Sequence, residues 1–235
     1  MMKLLYEGKA KRVYDTDNPN EVRVEFKDSA TAFNGKKKAE IAGKGVINAA
    51  VSARLFAWLS DHGLATHFIE QLDARTLVVE RLTMLSLEVV VRNIVAGSLH
   101  DRTGLDEGTT MDQPIIEFYY KSDALGDPLL NDDHIRLLGL ASPDLVARLR
   151  QEALRINQIL QPFLESRDIV LVDFKLEFGW NSAGELKLGD EISPDTCRLW
   201  DRQSGERLDK DRFRRDLGGV EDAYQEIFRR VVGDA

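Results

Sequence analysis

A single cysteine, Cys197, stands in 235 residues, which excludes an internal disulfide and a zinc site built on several thiolates. Long apolar runs are equally missing. No stretch of eighteen apolar residues occurs, and the opening M-M-K-L-L-Y-E-G-K has no apolar centre of the secretory kind. Neither a membrane span nor a secretory signal is expected, and the cytoplasm is the expected location. Positive charge is in deficit: 32 Lys and Arg against 40 Asp and Glu leave a net charge of -8. That balance argues against a nucleic-acid binder, yet leaves room for local basic sites that take small phosphates. Histidine is sparse, and His62, His67, His100 and His134 lack metal-ligand spacing, so all read as structural. Internal repeats, low-complexity tracts and flexible linkers are absent. So are the P-loop pattern and the G-x-G-x-x-G dinucleotide fingerprint.

What is present is a hydrophobic content of 43%, enough for one large lobe or two small ones with a real core. The first third reads as strands: Leu4 to Tyr14, a turn at Asp17 to Asn20, then Glu21 to Phe26 with Val22, Val24 and Phe26 alternating inward. Lys44 to His62 carries a helical apolar stripe closed by Gly63. Three strand-like runs follow, His67 to Leu72, Arg75 to Leu82 and Leu87 to Val95. Further on, Ser142 as cap and Pro143 at the first position open a long helix reaching Leu164, with Pro162 in its last turn. Helices over Asp209 to Leu217 and Val220 to Val232 close the chain. This order predicts an α+β protein of two packed lobes with a cleft between them.

The chemistry concentrates in Ile169 to Gly179, I-V-L-V-D-F-K-L-E-F-G, where charges recur at period two. Asp173, Lys175 and Glu177 leave one face of a strand, and Phe174, Leu176 and Phe178 leave the other into the interior. A hairpin signal over Trp180 to Gly184 precedes a strand ending in G-D-E-I-S-P-D, which returns Asp190, Glu191 and Asp195 towards the same place. Such a set left without a ligand is a costly buried ion network, so a functional site is the better reading. Glu177 and Asp190 suit Mg²⁺, which takes one or two carboxylates and fills its other positions with water and phosphate. Lys175 suits charge developing on a transferred phosphoryl group.

Weaker signals surround this centre. E-G-K-A-K places Lys9 and Lys11 on one face beside Gly8, either a phosphate contact or a solvated edge. Arg92 projects from a polar strand face ahead of Gly97 and Ser98, which is either an anion pocket or a structural ion pair with Glu88 or another carboxylate. In the loop from Lys121 to His134, Asp127 and Asn131 are candidate substrate contacts, and Asp132 is expected to cap the next helix. Arg198 is a second phosphate grip or a neutraliser of the acidic loop. The segment Asp28 to Glu40, with Lys36, Lys37 and Lys38, reads as either a lid over anionic substrate or a solvated basic loop.

E-G-K-A-K-R-V-Y, E-V-V-V-R-N-I-V-A-G-S, L-V-D-F-K-L-E-F-G, G-D-E-I-S-P-D-T-C-R-L-W-D and D-K-D-R-F-R-R-D-L-G-G occur in that order. Together they resemble the SAICAR synthetase family from Tyr6 to Val231. The resemblance implies a protein-kinase-like, SAICAR-synthase-like fold with antiparallel sheets and an ATP cleft between an N-terminal lobe, residues 1–83, and a C-terminal lobe, residues 84–235. It implies ATP-dependent condensation of carboxyaminoimidazole ribonucleotide (CAIR) with L-aspartate to give SAICAR, ADP and phosphate in purine biosynthesis, with Mg²⁺ and a homodimer or other homo-oligomer. By resemblance, Lys9, Ala10, Lys11 and Val13 meet ATP, with Glu80, Arg81 and Leu82 as a hinge against the adenine. Glu177 and Asp190 hold Mg²⁺, and Arg92, Ser98 and Arg198 hold the ribonucleotide phosphate. Lys175, Asp173 and Asp127 lie near the reacting groups. Two departures are visible: Ser86 stands where the family commonly has proline, and Asn34 where some members have Asp. A small-molecule kinase and a regulatory nucleotide binder are the alternatives; the intact Lys11, Lys175, Glu177 and Asp190 count against the second.

Overall fold

The computed structural model describes residues 3–32 and 37–233. The chain opens with β1 (Leu4–Glu7) and β2 (Lys11–Asp15), an antiparallel pair closed by a tight turn in which the Gly8 amide donates to the Lys11 carbonyl at 2.8 Å. The strand expected over Leu4 to Tyr14 is therefore two strands, and Lys9 sits in the turn between them. Next comes β3 (Glu21–Phe26), whose Val22, Val24 and Phe26 are buried by strict alternation. β4 (Ser29–Ala32) and β5 (Lys37–Glu40) form a separate hairpin. The expectations for Phe33 to Lys36, Asn34 included, lie outside the described residues.

Helix α1 (Lys44–Asp61) starts from Gly43 and stops at Gly63, both at φ 76, a left-handed conformation that glycine adopts without strain. It is followed by β6 (Phe68–Asp73) and β7 (Thr76–Glu80), completing a five-stranded sheet ordered β1-β2-β3-β7-β6. The second sheet begins with β8 (Thr83–Ile94), which contains Ser86, so the residue replacing the family's proline lies within a strand rather than a turn. After α2 (Ser98–Thr103) come β9 (Thr110–Tyr120), β10 (Leu129–Leu130), α3 (Asp132–Leu137) and α4 (Pro143–Glu165). β11 (Ile169–Trp180), β12 (Leu186–Gly189) and β13 (Cys197–Asp201) complete the sheet, ordered β10-β9-β8-β11-β12, with β13 paired to the first half of β11. Helices α5 (Asp211–Arg214) and α6 (Val220–Val231) end the chain.

Helix α4 forms as its sequence dictates. Ser142 accepts from the Leu145 amide at 3.2 Å, and Pro143 occupies the first turn, where its missing N–H costs nothing. Its buried face, Leu149, Ala153, Ile156, Leu160 and Phe163, packs on the second sheet. The helix expected over Asp209 to Leu217 is only the single turn α5. Helix α3 is capped by Asn131, which accepts from the His134 amide at 2.9 Å, not by Asp132, which instead accepts from Arg150.

Helix α1 contributes buried residues to the two larger hydrophobic clusters. Ala49 and Ala53 of α1 pack with Val22, Val24, Leu77 and Val79 of the first sheet. Ile47, Val51, Leu55 and Leu59 of the same helix join the larger core with α4, α6 and the second sheet. Each fully buried aliphatic side chain there contributes about 2 kcal/mol. The bridge between Thr66 and Leu188 adds a backbone link between the first third of the chain and β12.

Candidate active site

A cavity of about 950 Å³ opens beside the polar face of β11 and is lined by Asp173, Lys175 and Glu177 together, as the period-two reading expects. The register explains the arrangement. Asp173 lies opposite Arg92 of β8 on one side and opposite Arg198 of β13 on the other. One oxygen, Oδ2 of Asp173, accepts from Nη1 of both arginines at 2.8 Å. Four positions along, Glu177 faces Glu88 across the strands, a like-charge pairing that is unfavourable by itself. Lys175 resolves it by donating to Glu88 at 2.8 Å and to Glu177 at 2.5 Å. Burial works against the Lys175 ammonium, but Glu177, Asp190 and Glu88 outweigh it and hold its pKa well above the ordinary value. Glu177 also accepts from Lys121.

The loop after β12 supplies the opposite wall. Asp190 has φ 58, a left-handed conformation that Asp tolerates better than most residues. Its carboxylate accepts from Lys11, which also lies 3.0 Å from Glu191. Burial favours the neutral carboxyl of Asp190, yet Lys11 and Lys175 reverse this and hold it well below the carboxylate range. Lys11 is raised by the same contacts against its own burial. Lys9, half exposed, reaches Asp123 at 2.7 Å at the cavity mouth. His67 is buried behind Asp190. Burial lowers its pKa to about 4, so the ring is neutral, and its Nε2 has no hydrogen-bond partner.

Arg92 is nearly inaccessible and is not paired with Glu88. It donates to Glu117 at 2.6 Å, to Asp173, to Ser98 Oγ at 2.9 Å and to the Tyr119 hydroxyl at 3.0 Å. Arg198 donates Nε to Asp211 at 2.7 Å, and its Nη2 lies against Gly97, where a Cβ would approach to 2.3 Å. Arg92, Ser98 and Arg198 are thus gathered around one spot. Asp127 lines the cavity and anchors its own loop by accepting from the Ser122 amide at 2.9 Å. Asn131 is exposed and spent on the α3 cap.

Four residues expected to meet ATP are absent from the cavity wall. Val13 packs on the inner face of the first sheet. Glu80 accepts from Asn181 and pairs with Lys187, Arg81 is held by Asp15 and the Pro19 carbonyl, and Leu82 covers Gly179 and Gly189. Lys9, Ala10 and Lys11 do line it. The sequence reading assigned no role to Glu117, Tyr119, Lys121, Lys210 or Arg214. The first three are cross-strand or loop partners with no local pattern, whereas Lys210 and Arg214 carry a readable one-turn spacing.

Glu177 and Asp190 fit a divalent cation in donor chemistry: two hard carboxylates, here paired with Lys11, Lys121 and Lys175. Among the described residues no three His, Cys, Asp or Glu side chains gather to hold an ion unaided, so a cation at this place would draw other ligands from water and phosphate.

A sequence profile described as SAICAR synthetase matches residues 4–231. The phosphoribosylaminoimidazole-succinocarboxamide synthase of Brevibacillus brevis is 56% identical over 230 residues, covering 98% of this chain and 96% of its own. That of Coprothermobacter proteolyticus is 57% identical over 228 residues, covering 97% of each. Among solved structures, a type-2 SAICAR synthetase in complex with ADP aligns with TM-score 0.94 at 49% identity, covering 97% of both chains. The synthase from Ehrlichia chaffeensis aligns with TM-score 0.96 at 44% identity, covering 99% of this chain and 100% of its own.

Proposed function

The chain belongs to the SAICAR synthetase family, and from that premise we infer its activity: it is an ATP-dependent ligase that joins the carboxylate of CAIR to the amino group of L-aspartate, giving SAICAR, ADP and phosphate in purine biosynthesis. The observation that carries this reading is the single cavity lined by Lys11, Lys175, Glu177 and Asp190 together with Arg92, Asp173 and Arg198.

We propose the following division of labour. Lys9, Ala10 and Lys11 receive the ATP phosphates at the β1–β2 turn, and Val13, Glu80, Arg81 and Leu82 act from outside the cavity wall. Arg92, Ser98 and Arg198 grip the ribonucleotide phosphate, oriented by Asp173 between the two arginines. A carboxylate resists amine attack until one oxygen becomes a leaving group, and phosphoryl transfer from ATP supplies that. The aspartate nitrogen then forms a bond to the carboxyl carbon, the carbon–oxygen bond to phosphate breaks, and the amine releases a proton. Lys175, held cationic by Glu88 and Glu177, stabilises the charge that collects on the transferred group. Asp127 and Asp173 border the reacting groups, and holding both substrates in one cavity supplies much of the remaining rate.

Eight lysines and arginines face nine carboxylates in this cavity, so protein cations alone leave nothing to balance a triphosphate. That supports Mg²⁺ at Glu177 and Asp190, which neutralises phosphate charge when bound. The lobes are residues 1–83 and 84–235, a division supported by the first sheet ending at Glu80 and the second starting at Thr83. A cytoplasmic homodimer or other homo-oligomer is part of the same reading, testable by sedimentation.

The test is ADP release by the purified protein with Mg²⁺, ATP and CAIR, with and without L-aspartate. Aspartate-dependent release with formation of the succinocarboxamide is expected. Release that ignores aspartate, with a stable phosphorylated product, would make the protein a kinase instead.

A further inference from the structure

We propose that Arg102, Glu117 and Tyr119 are positioning residues for the phosphate grip: together they bolt α2 to β9 and so fix Arg92 and Ser98 relative to each other. The assignment rests on the ligase reading above and adds to it residues that act on the ribonucleotide through Arg92 and Ser98.

Two periodicities bring the three side chains together. On α2, Ser98 and Arg102 are one turn apart and share a face. On β9, Glu117 and Tyr119 alternate to one face and lie opposite Val90 and Glu88 of β8. That register puts Glu117 one diagonal step from Arg92, and the longer tyrosine side chain reaches the same guanidinium from the next step.

The bonds at this junction are fully used. The buried Glu117 carboxylate serves three donors: Oε2 accepts from Arg92 Nε at 2.6 Å and from the Tyr119 hydroxyl at 2.8 Å, and Oε1 accepts from Arg102 Nη2. The Tyr119 oxygen in turn accepts from Arg92 Nη2 at 3.0 Å and from Arg102 Nη1 at 2.9 Å. Its proton and both lone pairs are therefore committed. Arg92 sends Nε to Glu117, Nη1 to Asp173, and Nη2 to both Ser98 and Tyr119, which leaves one of its five N–H groups, on Nη1, for a ligand. An ion pair between two exposed groups would fix little. Arg102 is 33% exposed, but the carboxylate it meets is only 9% exposed and already holds Arg92.

Arg92 and Tyr119 line the cavity, whereas Arg102 and Glu117 lie outside its wall. Ser98 Oγ accepts from Arg92 and keeps its own proton to donate to a phosphate. Arg198 is tied to the same junction through Asp173, whose Oδ2 it shares with Arg92. Releasing Arg102 thus frees α2, and Ser98 with it. Removing the Tyr119 hydroxyl leaves one N–H of each arginine without its acceptor, and the phosphate loses bonds whose strength falls steeply with distance and angle.

Steady-state kinetics of the full-length protein, arranged as a double-mutant cycle, test this. Tyr119→Phe and Arg102→Gln are each expected to raise KM for CAIR about tenfold, with KM for ATP and L-aspartate changed less than about threefold. Because the residues act as one unit, the double variant should be about as impaired as the worse single variant. Arg102→Lys keeps the charge but has no planar fork to span Glu117 and Tyr119, so it should recover only part of the affinity. It serves if the glutamine variant lowers the thermal midpoint. An unchanged KM for CAIR, or an equal rise in KM for all three substrates, would overturn the proposal. So would effects that multiply in the double variant, because each residue would then meet the substrate on its own. Failure of the wild type to make SAICAR at all would instead overturn the ligase reading.

Discussion

Replacing Gly97 by alanine tests the phosphate grip without removing a charged group. A Cβ at this position would lie 2.3 Å from Nη2 and 2.7 Å from Cζ of Arg198, so the guanidinium must retreat by about 1 Å to reach ordinary contact distance. An arginine tip usually moves freely. This one is fixed by Asp211 at 2.7 Å and Asp173 at 2.8 Å, so the retreat stretches at least one of those bonds out of range and withdraws Nη2 from the cavity. Losing one charge-assisted bond to a phosphate costs about 2 kcal/mol, or about thirtyfold in KM for CAIR. A separate cost falls on stability, because φ 52 and ψ -132 strain any side-chain-bearing residue by about 1–3 kcal/mol. Kinetics and thermal melting separate the two effects. In an Arg198→Ala background the clash disappears, so Gly97→Ala should then change KM little while the stability loss persists. A double-mutant cycle should return a coupling near 2 kcal/mol in KM. An equal KM effect with and without Arg198, or an unchanged KM in the single variant, would refute the reasoning.

Lys44→Met removes a fully buried ammonium whose partner, Asp195, is also buried; the expected loss is about 3 kcal/mol by urea denaturation, moderated because Tyr224 and Lys210 remain. Burial alone would raise the Asp195 carboxyl, but Lys210, Lys44 and the Tyr224 hydroxyl hold it far below the usual range. Its contribution is therefore present above about pH 4 and lost as pH falls, so the gap between wild type and variant should narrow on acidification; a gap that widens would contradict the pairing. Asp190→Asn keeps the left-handed backbone at φ 58, which Asn accepts, and removes one charge. Activity should fall about tenfold or more at limiting Mg²⁺ and recover partly with excess, and normal activity at limiting Mg²⁺ would remove Asp190 from a metal role.

The strand at Ile169 was legible because its two faces differ sharply: Phe174, Leu176 and Phe178 entered the core, and that alone fixed where Asp173, Lys175 and Glu177 point. Helix α4 was legible from its cap and proline. The β1–β2 turn was hidden because Gly8 to Ala10 closes it with few turn residues, so two strands read as one. Asn131 and Asp132 are both good caps in adjacent positions, and only the backbone chose between them. The partners of Arg92 were out of reach for a different reason. Glu117 and Tyr119 reach it through the pairing of β8 with β9, a long-range register that no local pattern encodes. Likewise, adjacency to a strand end could not reveal that Glu80 turns to Asn181 and Lys187 rather than into the cavity.

The double membership of α1 bears on how the chain is made. Val51 and Leu55 share a core with Ile227 and Val231, so the helix cannot finish burying its second face until α6 exists. At about 5–20 residues per second of synthesis, the stretch between the end of α1 and the start of α6 takes about 10–30 s to appear. Throughout that interval the emerging first sheet carries a helix with an open apolar flank. Loss of the last twelve helical residues would accordingly strand that flank for good, and a chain truncated before Val220 should be recovered as aggregate rather than as a smaller working enzyme.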